Sequence, residues 1–184
     1  GWVILLTAGS SIFVRNAAAS LTLAVFVHPV SQDLGWSRTL IAGAASFGGL
    51  ASSVASPAVG WLSDRYGVRL VLTSGVVILG ISTVSLAWAT APIAFYLAYG
   101  MGRVIFSSSI QIGATVVVAR WFVQRRGQAM GVLFLFQSAG MVLFPLLASL
   151  VIQHRSWQEA WIVLGAVVWI VALGPVYLLI VQRP

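Results

Sequence analysis

The sequence predicts an all-α polytopic membrane protein with six transmembrane helices, and three observations predict it. The chain of 184 residues is 60% hydrophobic and only 7% charged, with a mean hydropathy of +1.01, whereas a soluble domain carries about a quarter charged residues. Mostly apolar runs near the ~20 residues that a helix needs to cross a hydrocarbon core recur along it. The breaks between runs are short and polar, so consecutive helices must run antiparallel and pack as one bundle.

The elements follow in order. The first span, about 3–27, carries Arg15 near its middle and gives way to HPVSQDLGWS. The second, about 38–60, is rich in small residues, among them Gly43, Ala44, Ser46, Gly48, Gly49, Ser52, Ser53, Ser56 and Gly60. Such a surface lets helix backbones approach closely in lipid, where no hydrophobic force drives association. The stretch GWLSDRYGVR then separates it from the third span, about 69–90, which ends at TAP. The fourth, about 93–119, holds Arg103 and is followed by RWFVQRRG; the fifth, about 128–152, ends at QHRSW; the sixth covers about 158–181. No linker or low-complexity segment divides the chain, which reads as a single six-helix transmembrane bundle over 1–184.

Charge sets the direction. The net charge of +7 comes from ten arginines and no lysine, against Asp33, Asp64 and Glu159. With the start of the first span in the cytoplasm, the inner connections and C-terminal end carry Arg65, Arg69, Arg120, Arg125, Arg126 and Arg183, and the outer ones only Arg38 and Arg155. The positive-inside rule therefore puts both ends of the segment in the cytoplasm, in a cell (inner or plasma) membrane. Trp2, Trp36, Trp61, Trp88, Trp121 and Trp157 fall at the expected interfaces, where an amphipathic ring is favoured; Trp161 and Trp169 fall inside a span and read as packing. The arginines are isolated between apolar spans, which argues against nucleic acid as a partner. With no cysteine and no His or carboxylate cluster, a metal site has nothing to stand on, and no cofactor is expected. The apolar run begins at once after Gly1, without an initiator Met, which points to a missing start.

Two arginines lie where arginine is costly. Arg15 sits about 18 Å below the outer end of its span and Arg103 about 15 Å below the outer end of its own, at ~1.5 Å rise per residue. A cation at mid-membrane costs about 3 kcal/mol on insertion scales and normally faces a protein interior or an aqueous cavity. A carbonyl or an ion-pair partner would satisfy each, but no acidic residue lies in mid-span. Two cations at one depth suggest an anion-binding cavity. Tyr99, Arg103, Ser107 and Gln111 recur at spacing four along one face of the fourth span, and Asn16 lies beside Arg15. Arg15 to Arg38 and Arg103 to Arg126 are both 23 residues apart, a weak regularity that relates spans 1–3 to 4–6 as a 3+3 inverted repeat of the kind transporters use.

GWLSDRYGVR, placed between spans 2 and 3, resembles the signature of the major facilitator superfamily at that position, G-x-x-x-D-R/K-x-G-R followed by basic residues. Gly60, Asp64, Arg65, Gly67 and Arg69 follow it, and Val68 departs from it. RWFVQRRGQAMG is similar to the helix 4–5 connection of the monocarboxylate-transporter and oxalate/formate-exchanger branch, with Phe122, Arg125, Arg126, Ala129 and Gly131 matching and Trp121, Gln124 and Gln128 departing. LGWSR at 34–38 and Gly1-Trp2 fit the same branch. The charged residue of helix 1 in monocarboxylate carriers lies a few positions after Arg15.

This resemblance implies the N-terminal half of a twelve-helix transporter. Such a protein moves a small organic anion such as a monocarboxylate by alternating access around a midplane site, with a second six-helix half and the lipid bilayer as partners. The second half is either a missing C-terminal half or another copy. Arg103, with Arg15, Asn16, Tyr99, Ser107 and Gln111, would bind substrate. Gly60, Asp64, Arg65, Gly67, Arg69, Arg120, Arg125 and Arg126 would form the cytoplasmic gate, with Gly60 allowing a close helix approach and Asp64 capping the third helix, contacting the partner half or pairing with Arg120. Proton symport stays open, because the mid-membrane acid it usually needs is absent from this half. A drug or multi-solute exporter of the same superfamily and a homodimeric six-helix channel remain as alternatives. An intramembrane enzyme is disfavoured: His28 and His154 fall at outer connections, and Ser107 and Ser108 have no histidine at their depth.

Overall fold

A computed structural model describes residues 2–181, with side chains as far as Tyr177; Gly1 and Arg183 lie outside the described residues. Among the described residues all regular structure is helical, and six helices are long and apolar enough to cross a membrane. They are α1 (Trp2–Leu34), α2 (Arg38–Tyr66), α3 (Val68–Trp88), α4 (Pro92–Trp121), α5 (Arg126–His154) and α6 (Trp157–Val181).

Two of the breaks read from the sequence turn out to be helical. HPVSQDL continues α1 as far as Leu34 with Pro29 inside it, and WLSDRY continues α2 to Tyr66, leaving Gly67 as the whole of the connection to α3. Hydropathy marks where hydrocarbon ends, and a helix emerging into water continues until its backbone is turned. Gly35 and Gly67 supply that turn, with φ of 69° and 88°, a region that disfavours residues bearing a Cβ. The N–H of Gly67 donates to Ser63 O at 3.0 Å. At the other junctions Ser37 Oγ accepts from Leu40 N at 3.1 Å to cap α2, and Pro92 opens α4 at a position where its missing N–H costs nothing.

α1 runs through the middle of the bundle and touches α4, α5 and α6. The extensive interfaces are α2 with α4, α3 with α6, α1 with α5, α3 with α4 and α1 with α6. Exchanging α1 with α4, α2 with α5 and α3 with α6 maps this set of interfaces onto itself, so the packing follows the order that a 3+3 inverted repeat requires. Buried aromatic residues fix the frame: Trp161 stacks on Phe26 with ring centroids 3.8 Å apart, and Phe95 lies parallel to Tyr99 at 6.3 Å.

Among the described residues, Gly60 meets nothing within 4 Å where a Cβ would stand, so α2 is not closely approached there from within this half. Trp157, at the start of α6, is buried, and its Nε1–H donates to Asp33 Oδ2 at 2.8 Å, which ties α6 to the end of α1.

Candidate functional site

The helices that carry the two mid-span arginines are irregular at the same level. In α1 a 3-10 turn over Arg15–Ala18 is followed by Ala19 with extended backbone (φ −71°, ψ 151°), after which the helix restarts at Ser20. In α4 a π-helical turn covers Ile105–Ser109, just beyond Arg103. Irregular backbone inside a membrane persists only where its polar groups find partners, and here they do. Thr22 Oγ1 donates to Asn16 O at 2.7 Å, and the buried Tyr99 hydroxyl donates to Ala18 O at 3.1 Å. The Asn16 amide nitrogen lies within bonding reach of Ile12 O and Phe13 O, both at 3.2 Å, and of Gln137 O on α5 at 3.4 Å. Gly140 of α5 makes room for that contact, since a Cβ there would stand 2.5 Å from both Asn16 Nδ2 and Phe13 O.

Phe106, in the π-helical turn, joins the two arginines. Arg15 Nη1 donates to the Phe106 carbonyl at 2.9 Å, and its guanidinium carbon lies 4.3 Å from the Phe106 ring centroid. The Arg103 guanidinium carbon lies 4.7 Å from the same centroid. Both distances fall within the range of a cation–π contact. The two cationic centres are therefore at most about 9 Å apart, a separation at which like charges repel by about 2 kcal/mol or more at an effective dielectric of 20. Arg15 is only 6% exposed, whereas Arg103 is half-buried. Buried Nε atoms of both, and the buried Oε1 of Gln111, lack a hydrogen-bond partner among the described residues. The expected carbonyl partner exists for Arg15, and neither arginine has an ion pair among the described residues. Chemically the arrangement is two neighbouring cations with N–H donors unspent, a set of groups able to receive an anion.

The remaining expected residues divide. Tyr99 and Asn16 lie at the α1 break, and their donors serve backbone carbonyls. Ser107 Oγ donates to Arg103 O at 3.0 Å within its own helix, and Gln111 lies further along α4 with Oε1 free. Sequence reasoning missed Phe106 and the glycine against Arg103, Gly48, because neither a phenylalanine nor a glycine is distinctive in an apolar span.

At the arginine-rich end, Asp64 is exposed at the close of α2, with no hydrogen bond or ion pair among the described residues. The expected cap of α3 and the pairing with Arg120 are thus not made; the N-cap of α3 is Gly67, with no side-chain bond. Arg65 instead leans over the Trp61 and Tyr66 rings at 5.0 and 5.7 Å. Arg126 Nη2 donates to Ala119 O at 3.2 Å, closing the end of α4. Arg125 lines a small cavity with Trp2, Phe122 and Gln128, Arg120 is exposed, and Arg69 is half-buried. His28 is exposed near the end of α1, with Nδ1 3.3 Å from Arg38 Nη2, and His154 is exposed at the end of α5.

Known proteins resemble this chain in the same sense. An uncharacterized MFS-type transporter, YcxA of Bacillus subtilis, is 26% identical over 80% of the chain and 36% of its own length. The fujikurins efflux protein of Gibberella fujikuroi is 31% identical over 56% of the chain and 22% of its own. Probable anion transporter 6, chloroplastic, of Arabidopsis thaliana is 32% identical over 88% of the chain and 31% of its own. The chain thus spans about a third of the length of these relatives, or less. The family model for the Major Facilitator Superfamily matches residues 5–184. With six membrane-spanning helices, two of them irregular at one depth and both carrying an arginine there, the chain belongs to the Major Facilitator Superfamily.

Proposed function

We propose that the chain is one six-helix half of a secondary active transporter that moves a small organic anion, a monocarboxylate being the first candidate, by alternating access. The observation that carries this reading is the meeting of Arg15 and Arg103 on the Phe106 ring, at the breaks of α1 and α4, with no carboxylate to neutralise them. Two like charges held this close favour an anion between or beside them. A guanidinium can receive a carboxylate through two parallel hydrogen bonds. Arg103, the less buried, is the anchor; Arg15, engaged with a carbonyl, contributes field more than contact. Gln111, with Oε1 unpartnered, is available to orient the substrate, while Ser107, Tyr99 and Asn16 hold the backbone of the two breaks that carry the arginines. Similarity to a protein named as a probable anion transporter supports the same substrate class.

In this reading the arginine-rich end faces the cytoplasm of a cell membrane, and a second six-helix half, fused or supplied by another copy, closes the cavity. Asp64, exposed and unpaired among the described residues, is then available to that half as a latch, with Arg65, Arg69, Arg120 and Arg125 at the same end of the bundle. A proton gradient is one candidate driving force, with the titrating acid in the other half.

Uptake of labelled lactate, formate and oxalate by the full-length protein in proteoliposomes, with and without a proton gradient, tests this. Arg103→Gln is expected to abolish uptake of a transported anion while membrane insertion stays intact, and unchanged uptake removes the anchor. Likeness to an efflux protein favours a second reading, a multi-solute exporter. On that reading neutral apolar solutes are moved, and Arg103→Gln leaves their export unaltered.

A further inference from the structure

Gly48 is buried in α2 against the residue of α4 that carries the anchor charge. A Cβ placed on it would stand 2.6 Å from Arg103 Cγ and 2.8 Å from Arg103 Cβ. Carbon atoms in contact sit about 3.5–4.0 Å apart, so any side chain at 48 drives the stem of Arg103 away by about 1 Å. The next residue is a built-in contrast, since a Cβ on Gly49 would meet nothing within 4 Å. One turn further along α2, Ser52 Oγ donates to the Arg103 carbonyl at 2.8 Å. α2 therefore grips Arg103 twice, by its backbone and by its aliphatic stem. On its other side the guanidinium lies over the Phe106 ring, 4.7 Å from the centroid.

We propose that Gly48 is a positioning residue for Arg103. The missing side chain lets the arginine stem lie flat against α2, and this holds the guanidinium over Phe106, close to Arg15. A bare flexible arginine would swing away from a like charge and lose entropy on every return; one clamped between α2 and an aromatic ring keeps both cations facing the place an anion occupies. The purpose of the clamp rests on the anion-site reading above, but its geometry does not.

The test needs no substrate. Purified full-length protein is treated with phenylglyoxal, an arginine reagent, and the extent of modification is followed separately at Arg103 and at the exposed Arg155, which lies outside the gate, by peptide mass mapping. Gly48→Ala is expected to speed modification of Arg103 several-fold, because the guanidinium leaves the ring, while Arg155 keeps its rate and Gly49→Ala behaves as the parent. An unchanged Arg103 rate in folded Gly48→Ala overturns the proposal. If Gly48→Ala does not accumulate in the membrane, it is combined with Arg103→Gly, which removes both atoms the new Cβ would strike. A level equal to that of Arg103→Gly alone supports the clamp, and a level still lost shows that the Cβ strikes something else and overturns it. Uptake separates the two ideas. Undiminished anion uptake by Arg103→Gln sinks the anion site and leaves the labelling result standing. Loss of uptake in Arg103→Gln, with silent labelling in Gly48→Ala, sinks only the positioning role.

Discussion

Arg15 and Arg103 are the same residue type at the same depth, yet their surroundings differ. Arg15 is enclosed and bonded to a carbonyl of another helix; Arg103 is half-buried and held by its stem and an aromatic face. Side chains that are absent matter as much as those that are present. A Cβ on Gly80 of α3 would lie 1.9 Å from Trp169 Nε1 of α6, and the indole is too rigid to yield without moving the helix. Gly80→Ala is therefore expected to destabilise the protein by about 1–3 kcal/mol, the usual cost of overpacking, read as an earlier thermal unfolding in detergent; an unshifted midpoint would show that α6 gives way freely. The two arginines were legible in the sequence, because a cation in an apolar span has few explanations. Phe106 and Gly48 were not, since their roles come from which helix lies opposite, and hydropathy does not say that.

At the scale of the element, the sequence announces the six spans but neither break within them. Nothing in RNAAA or IFSSS contains the proline or glycine that usually signals an interruption. The signals present are weaker: Asn16, which competes with the backbone for hydrogen bonds, and a run of serines at 107–109, two of which bond back to carbonyls four residues earlier. Asn16 holds the α1 break together and reaches α5 through Gln137 O. Asn16→Ala should cost about 1–3 kcal/mol, because buried carbonyls lose a partner, and should speed hydrogen exchange around 15–20 more than elsewhere in α1. Uniform exchange along α1 would mean that the break is set by α4 alone.

For the whole molecule, the irregular turns begin at Arg15 in α1 and at Ile105 in α4, near the offset of 88 between the arginine pairs. The order of helix contacts and the levels of the two breaks are compatible with the repeat that the arginine spacing suggests, although one break is a 3-10 turn and the other a π-helical turn. The proposed rocking of one half against the other puts Asp64 at the moving edge. Asp64→Asn is expected to slow uptake without weakening anion binding, as compared by uptake rate and by equilibrium binding, and an equal loss of both would argue against a latch. The bond from Arg15 to Phe106 also has a consequence in time. Its two ends are 91 residues apart, so at the ~5–20 residues per second of synthesis α1 waits about 5–18 s for the carbonyl that receives its charge. During that interval the first helix holds its cation without that partner, at a cost of about 3 kcal/mol on insertion scales. The bond that settles it can form only once α4 has been made, so this contact joins the two halves of the bundle late rather than early.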